Sequence, residues 1–173
     1  MEKIFIGSVK LPHLGEVWLA ATDKGLLRLN FPSTRQQFIS YINSAYVYEL
    51  IEDQATLAKI STQLQEYISG ERTEFNLQID WAGMGEFQRK ALEATIRIPY
   101  GQTATYKQIA EQAGNPNGAR AAGRAEATNP IPLVIPCHRV VGSDGKLHGY
   151  GAGAGLETKT WLLGHEKQVK GKQ

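Results

Sequence analysis

In 173 residues the chain has one cysteine, Cys137. That excludes an internal disulfide and any zinc site built from several cysteines, and it fits a reducing compartment. No apolar run approaches the roughly 20 residues of a membrane-spanning helix, and the amino terminus MEKIFIGSVKLP lacks the layout of a cleaved signal, so a cytoplasmic protein without membrane contact is expected. The glycine-rich stretch Gly145–Gly155 is not followed by Gly-Lys-Ser/Thr, which excludes a phosphate loop of that type. A composition of 42% hydrophobic and 21% charged residues excludes a disordered chain and suits one large or two small globular domains.

A net charge of +2 says little, but its distribution says more. Residues 1–84 carry seven Lys/Arg against ten Asp/Glu, a balance of −3, and the remainder carries twelve against seven, a balance of +5. An acidic half joined to a modestly basic half suggests that only the second meets a polyanion.

The first half reads as α/β. Lys3 to Val9, Gly15 to Ala21 and Gly25 to Asn30 are short strand-like runs separated by turn residues, which predicts an antiparallel meander. Ser33-Thr34-Arg35-Gln36 is a capping-box pattern that opens a helix with Phe38, Ile39 and Ile42 inward. A second helix follows Asp53, carries Leu57, Ile60, Leu64, Tyr67 and Ile68 on one face, and stops at Gly70. Phe75 to Asp80 reads as a further strand. Nothing in this half resembles a site, and Asp53, Glu66 and His13 read as solvated or capping residues.

Trp81 to Gly85 reads as a linker, dividing the chain into residues 1–83 and 84–173. Beyond it a helix marked by Phe87, Ala91, Thr95 and Ile98 runs into Pro99-Tyr100-Gly101. Two short helices follow, the first capped by Thr105 or Thr103 and ending at Ala113, the second running from about Ala119 to Thr128, with Gly114 to Gly118 as the turn. That spacing is a helix-turn-helix. Its second helix shows Ala119, Ala121, Gly123 and the arginines Arg120 and Arg124 where a packing helix would carry leucine or isoleucine, and small side chains permit close approach to a groove. For Arg124 a phosphate contact and plain solvation remain equally open.

Ile131 to Val141, IPLVIPCHRVV, reads as a buried extended run interrupted by Cys137, His138 and Arg139. An unpaired cysteine is most often a small buried hydrophobe. Here Pro136 fixes the backbone before it and a histidine follows it, the pairing that lowers a thiol pKa below ~8.5 and makes a nucleophile. On a strand the two side chains would face opposite ways, so they cooperate only through a bend or a bridging water.

Pro136-Cys137-His138-Arg139-Val140, preceded by Asn129-Pro130, resembles the active-site signature of the methylated-DNA–protein-cysteine methyltransferases. The resemblance extends through IPYG at Ile98, TYKQIA at Thr105, GNPNGAR at Gly114 and GYGAGAGL…WLLGHE from Gly149 to Glu166, covering the carboxy-terminal half almost continuously. It implies a ribonuclease-H-like α/β support domain followed by a winged helix-turn-helix domain. It also implies a repair protein that moves the alkyl group of O6-methylguanine, and less well of O4-methylthymine, in double-stranded DNA irreversibly to Cys137. The second helix of the pair would enter the minor groove, with Arg120 in the base stack in place of an extruded guanine. Extrusion is required because the alkylated oxygen lies inside the duplex.

The same resemblance assigns Glu166 to accept from His138, His138 to draw the thiol proton through a water, Tyr106 to hydrogen-bond the flipped base, and Asn129 to tie the helix pair to the cysteine segment. Read alone, Glu166 is a fraying helix end, Tyr106 a packing ring and Asn129 a turn residue. Tyr150 and Pro132, with Val140 and Gly151, would line the base and alkyl pocket, which His148 narrows. The last helix, from about Gly155 to Lys167, places Leu156, Leu162 and Leu163 on its apolar side, with Glu166 on their face. No metal or other cofactor is implied, and a monomer is expected. A lesion-binding sensor without chemistry would replace the cysteine, and a Cys-His hydrolase would turn over, which a stoichiometry measurement separates.

Overall fold

The computed structural model describes residues 1–173, which divide into two compact units, Met1–Ala82 and Gly83–Gln173. In the first, β1 (Lys3–Leu11), β2 (Gly15–Thr22) and β3 (Gly25–Asn30) form the antiparallel meander read from the sequence. A short strand that the sequence did not reveal, β4 (Glu49–Glu52), adds in parallel to β1, giving the order β3-β2-β1-β4. Ile4, Ile6, Trp18, Ala20 and Leu27 of the sheet bury against Phe38 and Ile42 of α1 (Arg35–Ala45).

The cap of α1 sits one residue later than expected. Thr34 is the cap: its hydroxyl accepts from Gln37 N at 3.2 Å, and the Gln37 side chain accepts from Thr34 N at 3.0 Å. Helix α2 (Ala58–Ser69) ends on Gly70, whose φ of 84° supplies the left-handed residue its last carbonyls need. Phe75 to Asp80 is not a strand, for its ladder shrinks to a single parallel bridge between Ile79 and Leu26.

In the second unit α3 (Glu86–Ile96) is followed by β5 (Ala104–Thr105), α4 (Tyr106–Gln112) and α5 (Ala119–Ala127). Thr105 caps α4, its hydroxyl accepting from Gln108 N at 3.1 Å while the Gln108 side chain accepts from Thr105 N at 2.8 Å. Ala91, Ala94, Ala110, Ala113, Ala122 and Ala125 pack around Ile98 and Ile109 in a core rich in small residues, which lets α3, α4 and α5 approach closely. Loss of the reciprocal cap in Thr105→Ala should cost about 1 kcal/mol, read as a lower midpoint of denaturant unfolding.

The predicted extended run before the cysteine is absent. Ile131 to Pro136 is a tight turn with Leu133 at φ 74°, leading into a 3-10 helix, Cys137–Arg139, and only then into β6 (Val140–Val141), parallel to β5. Pro130, Pro132 and Pro136 remove three backbone donors, so this segment cannot sustain a strand ladder. The Asn129 carboxamide supplies the missing bonds, donating to Ile135 O at 2.9 Å and accepting from Ile131 N at 3.0 Å. The unit closes with α6 (Leu156–Gly171).

Candidate active site

Three consecutive residues of the 3-10 helix share the site among themselves. Cys137 is a free thiol, 6% exposed, at the wall of a cavity of about 650 Å³ bordered also by Tyr106, Arg120, Glu126, Tyr150 and Gly151. His138 is fully buried and faces α6, its Nε2 2.8 Å from Glu166 Oε1. Arg139 lies against the same carboxylate, with Nη2 2.8 Å from Oε1 and Nε 3.0 Å from Oε2, and donates through Nη1 to Ile98 O at 2.8 Å. A 3-10 turn, unlike a strand, lets successive side chains fan out to these separate partners.

Glu166 is thus the centre of a buried ionic cluster, and it also accepts from Gly101 N at 3.1 Å. Burial would push its carboxyl up, but the hydrogen bonds from His138 and Arg139 and the charge of the Arg139 guanidinium outweigh burial and hold it well below the usual carboxylate range. Burial pushes the His138 imidazole down, further than Glu166 restores it, so the ring is neutral. A neutral ring that offers Nε2–H to Glu166 keeps its lone pair on Nδ1, the nitrogen able to take a proton.

The thiol itself departs from expectation. Burial, assisted by the negative charge available on Glu126, pushes Cys137 up to about 12, and a hydrogen bond from Asn129 and the Lys159 charge offset only part of this. The resting site therefore holds a protonated thiol rather than the thiolate that the Cys-His pairing suggested. A group kept protonated by burial yields its proton only when a base accepts it as the reaction proceeds.

Two buried ionisable residues of the site were not singled out from the sequence. Lys159 of α6, 1% exposed, donates to Val140 O at 2.7 Å and His148 O at 3.1 Å, pinning the glycine-rich loop to the cysteine segment. Glu126 of α5, 6% exposed, has Oε1 2.6 Å from the Thr95 hydroxyl. On α6 the inward face is Thr158, Lys159, Leu162 and Glu166, whereas Leu156 is 46% exposed, so the predicted leucine face is wrong at its first member. Helical spacing from the polar residues 159 and 166 would have found this face.

The remaining expected residues fall into two groups. Tyr106 donates to His148 O at 3.2 Å, and both border the cavity together with Tyr150 and Gly151. Pro132 and Val140 do not border it: Val140 packs into the small-residue core, and Pro132 is buried in the turn held by Asn129. Pro132 is buried because the turn replaces the strand, whereas Val140 faces the core from β6. On α5, Ala119, Arg120, Ala121 and Arg124 are exposed, Gly123 is partly so, and Ala122 and Ala125 are buried. Arg120 borders both the cysteine cavity and a second hollow of about 560 Å³ lined by Phe87, Gln88, Arg124 and Thr128. His165 stacks on Trp161, with ring centroids 5.0 Å apart, and takes no part. No cluster of residues suited to a metal ion is present.

Residues 6–81 match the ribonuclease-like domain of 6-O-methylguanine DNA methyltransferase, and residues 86–168 match its DNA binding domain. A methylated-DNA–protein-cysteine methyltransferase of Methanosarcina barkeri is 39% identical over 87% of this chain and 89% of its own length. Its counterpart in Mycobacterium leprae is 45% identical over 68% and 69%. Among solved structures, the Mycobacterium tuberculosis OGT in complex with DNA is similar with a TM-score of 0.78 at 34% identity, covering 95% of this chain and 94% of that one. With both units matched, the chain belongs to the 6-O-methylguanine DNA methyltransferase family and is a DNA-binding methyltransferase of DNA repair.

Proposed function

We propose that the chain takes the alkyl group of O6-methylguanine in double-stranded DNA onto Cys137, irreversibly and once per molecule, and accepts O4-methylthymine less well. The observation that carries this reading is the position of the buried thiol at a cavity of about 650 Å³ that shares Arg120 with the exposed face of α5. That volume lies in the range of small-molecule sites. The exposed alanines of α5 can approach the minor groove, Arg120 fills the space of the extruded guanine, and Arg124 lies at the adjoining phosphates. The extruded base enters between Tyr106 and Tyr150.

Chemically, Glu166 fixes the His138 ring, and Nδ1 receives the Cys137 proton through a water. The S–C bond forms as the C–O6 bond breaks, and the electron pair passes into the guanine ring, to which the Tyr106 hydroxyl turns from His148 O to supply a hydrogen bond. Asn129 holds the turn that presents the thiol. A thioether is a poor leaving group, so the product persists and no cofactor takes part. A monomer in a reducing cytoplasm, where the thiol stays free, completes the reading.

Incubation with excess duplex containing O6-methylguanine, followed by intact mass spectrometry and peptide mapping, should show the mass of one methyl group on Cys137 and repair that stops at one equivalent. Cys137→Ser should show no transfer while still binding the duplex. Tight binding with unchanged protein mass in the parent chain would mean a lesion sensor, and turnover beyond one equivalent a hydrolase.

A further inference from the structure

Glu126 is a buried acid that the chemistry above does not use. It stands on the inner side of α5, borders the same cavity as Cys137, and its Oε2 is buried without a hydrogen-bond partner. Its other oxygen meets Thr95 of α3, whose single hydroxyl proton has a second acceptor 2.9 Å away, Ala91 O, the ordinary back-bond of a helical threonine. That one proton is shared between Ala91 O and Glu126 Oε1, too weak a donation to hold a buried carboxyl in its charged form.

We propose that Glu126 sets the charge of the cavity in which Cys137 reacts: as an uncharged acid it permits a thiolate to develop beside it, and once ionised it stops the transfer. The inference rests on the alkyl-transfer reading and adds to it a positioning residue that acts through the field it places on the sulfur. Both groups are buried in the cavity wall, where two negative charges on neighbouring walls repel strongly. Burial holds the Glu126 proton up to about 8, against a weaker opposite pull from the Thr95 hydrogen bond and the Lys159 charge. The other groups that face it are Tyr106 from α4, Lys159 from α6 and Cys137 itself. Arg120, Lys107, His148 and Tyr150 border the same cavity. No carboxylate other than Glu126 borders it.

The consequence has an unusual sign. A free thiol nucleophile gains rate as pH rises toward its own ionisation, whereas here the rate should fall on the alkaline side. The test is the single-turnover rate of methyl transfer at saturating protein, from pH 6 to 9.5, for the parent chain and Glu126→Gln, each normalised to its own rate at pH 6.5. Glutamine reproduces the donor and acceptor of the neutral acid and cannot ionise. The parent rate should fall roughly five- to tenfold between pH 8 and 9, and the Glu126→Gln rate should hold or rise. Superimposable profiles, with methyl transfer to Cys137 in both, would overturn the role of Glu126 and leave the alkyl-transfer reading intact. Absence of methyl transfer in the parent chain at every pH would overturn both.

Discussion

Replacing Glu166 by glutamine should destabilise the carboxy-terminal unit by about 3 to 5 kcal/mol and abolish methyl transfer. The carboxylate is fully buried and is the shared counter-charge of Arg139 and the orienting partner of His138. A neutral amide leaves the Arg139 guanidinium buried without compensation, the case in which a broken buried pair costs most. Stability follows from urea unfolding monitored through Trp161, the only tryptophan beyond residue 81. A double change, Glu166→Leu with Arg139→Met, should recover much of the lost stability, because removing both charges also removes the desolvation cost of the pair. It should not recover activity, since His138 stays without its acceptor. If the double variant is no more stable than Glu166→Gln alone, uncompensated charge is not the origin of the loss.

The same cluster fixes the acid side of the stability curve. Glu166 and His138 are both lowered in the folded protein, so each contributes stability above its unfolded pKa that is lost as pH falls through the folded one. The decline should begin below the unfolded histidine value of ~6.5 and steepen below the carboxylate value of ~4.3.

How much of this the sequence discloses depends on where its signal lies. Strands β1 to β3 and helix α2 are driven by apolar periodicity and by Gly70, features carried by residue type alone. Strand β4 escapes because its four residues, Glu49 to Glu52, bring only two apolar side chains, and its pairing with β1 is set by the tertiary fold. The run before Cys137 misleads for the opposite reason. Its apolar content imitates a strand, while three prolines and the Asn129 carboxamide turn it into a loop. The resemblance to a family assigns the Glu166 pairing with His138, and the two lie 2.8 Å apart. The pairing of Arg139 with the same carboxylate, the lysine under the loop and the acid on α5 stay hidden, because a buried ionisable residue has the same letter as a solvated one. Small-residue content, by contrast, betrays α5: Ala122 and Ala125 pack inward while Ala119 and Ala121 remain exposed.

Glu126→Gln should stabilise the carboxy-terminal unit at neutral pH, the reverse of what removing a charged residue from an ion pair does. In the unfolded chain a glutamate ionises near ~4.3, whereas burial keeps the folded Glu126 protonated up to about 8. Folding at pH 7 therefore takes up a proton, at a cost of about 1.4 kcal/mol for each pH unit above the unfolded value. A raised pKa has a definite sign: the stability is fully present below ~4.3 and is lost as pH rises through the folded value. The variant escapes this loss, so its advantage should be absent near pH 4, reach up to about 4 kcal/mol at pH 7 and level off above pH 8. Contributions from His138 and Glu166 are common to both proteins and cancel in the difference. Urea unfolding followed through Trp161 at pH 5, 7 and 8.5 measures it. An advantage that does not vary with pH, or a variant less stable throughout, would mean that the folded protein holds Glu126 ionised and paired, and the charge-setting role would fall with it. A rising advantage would show that the fold gives up stability to keep an uncharged acid beside its reactive sulfur, a sacrifice typical of a site built for chemistry.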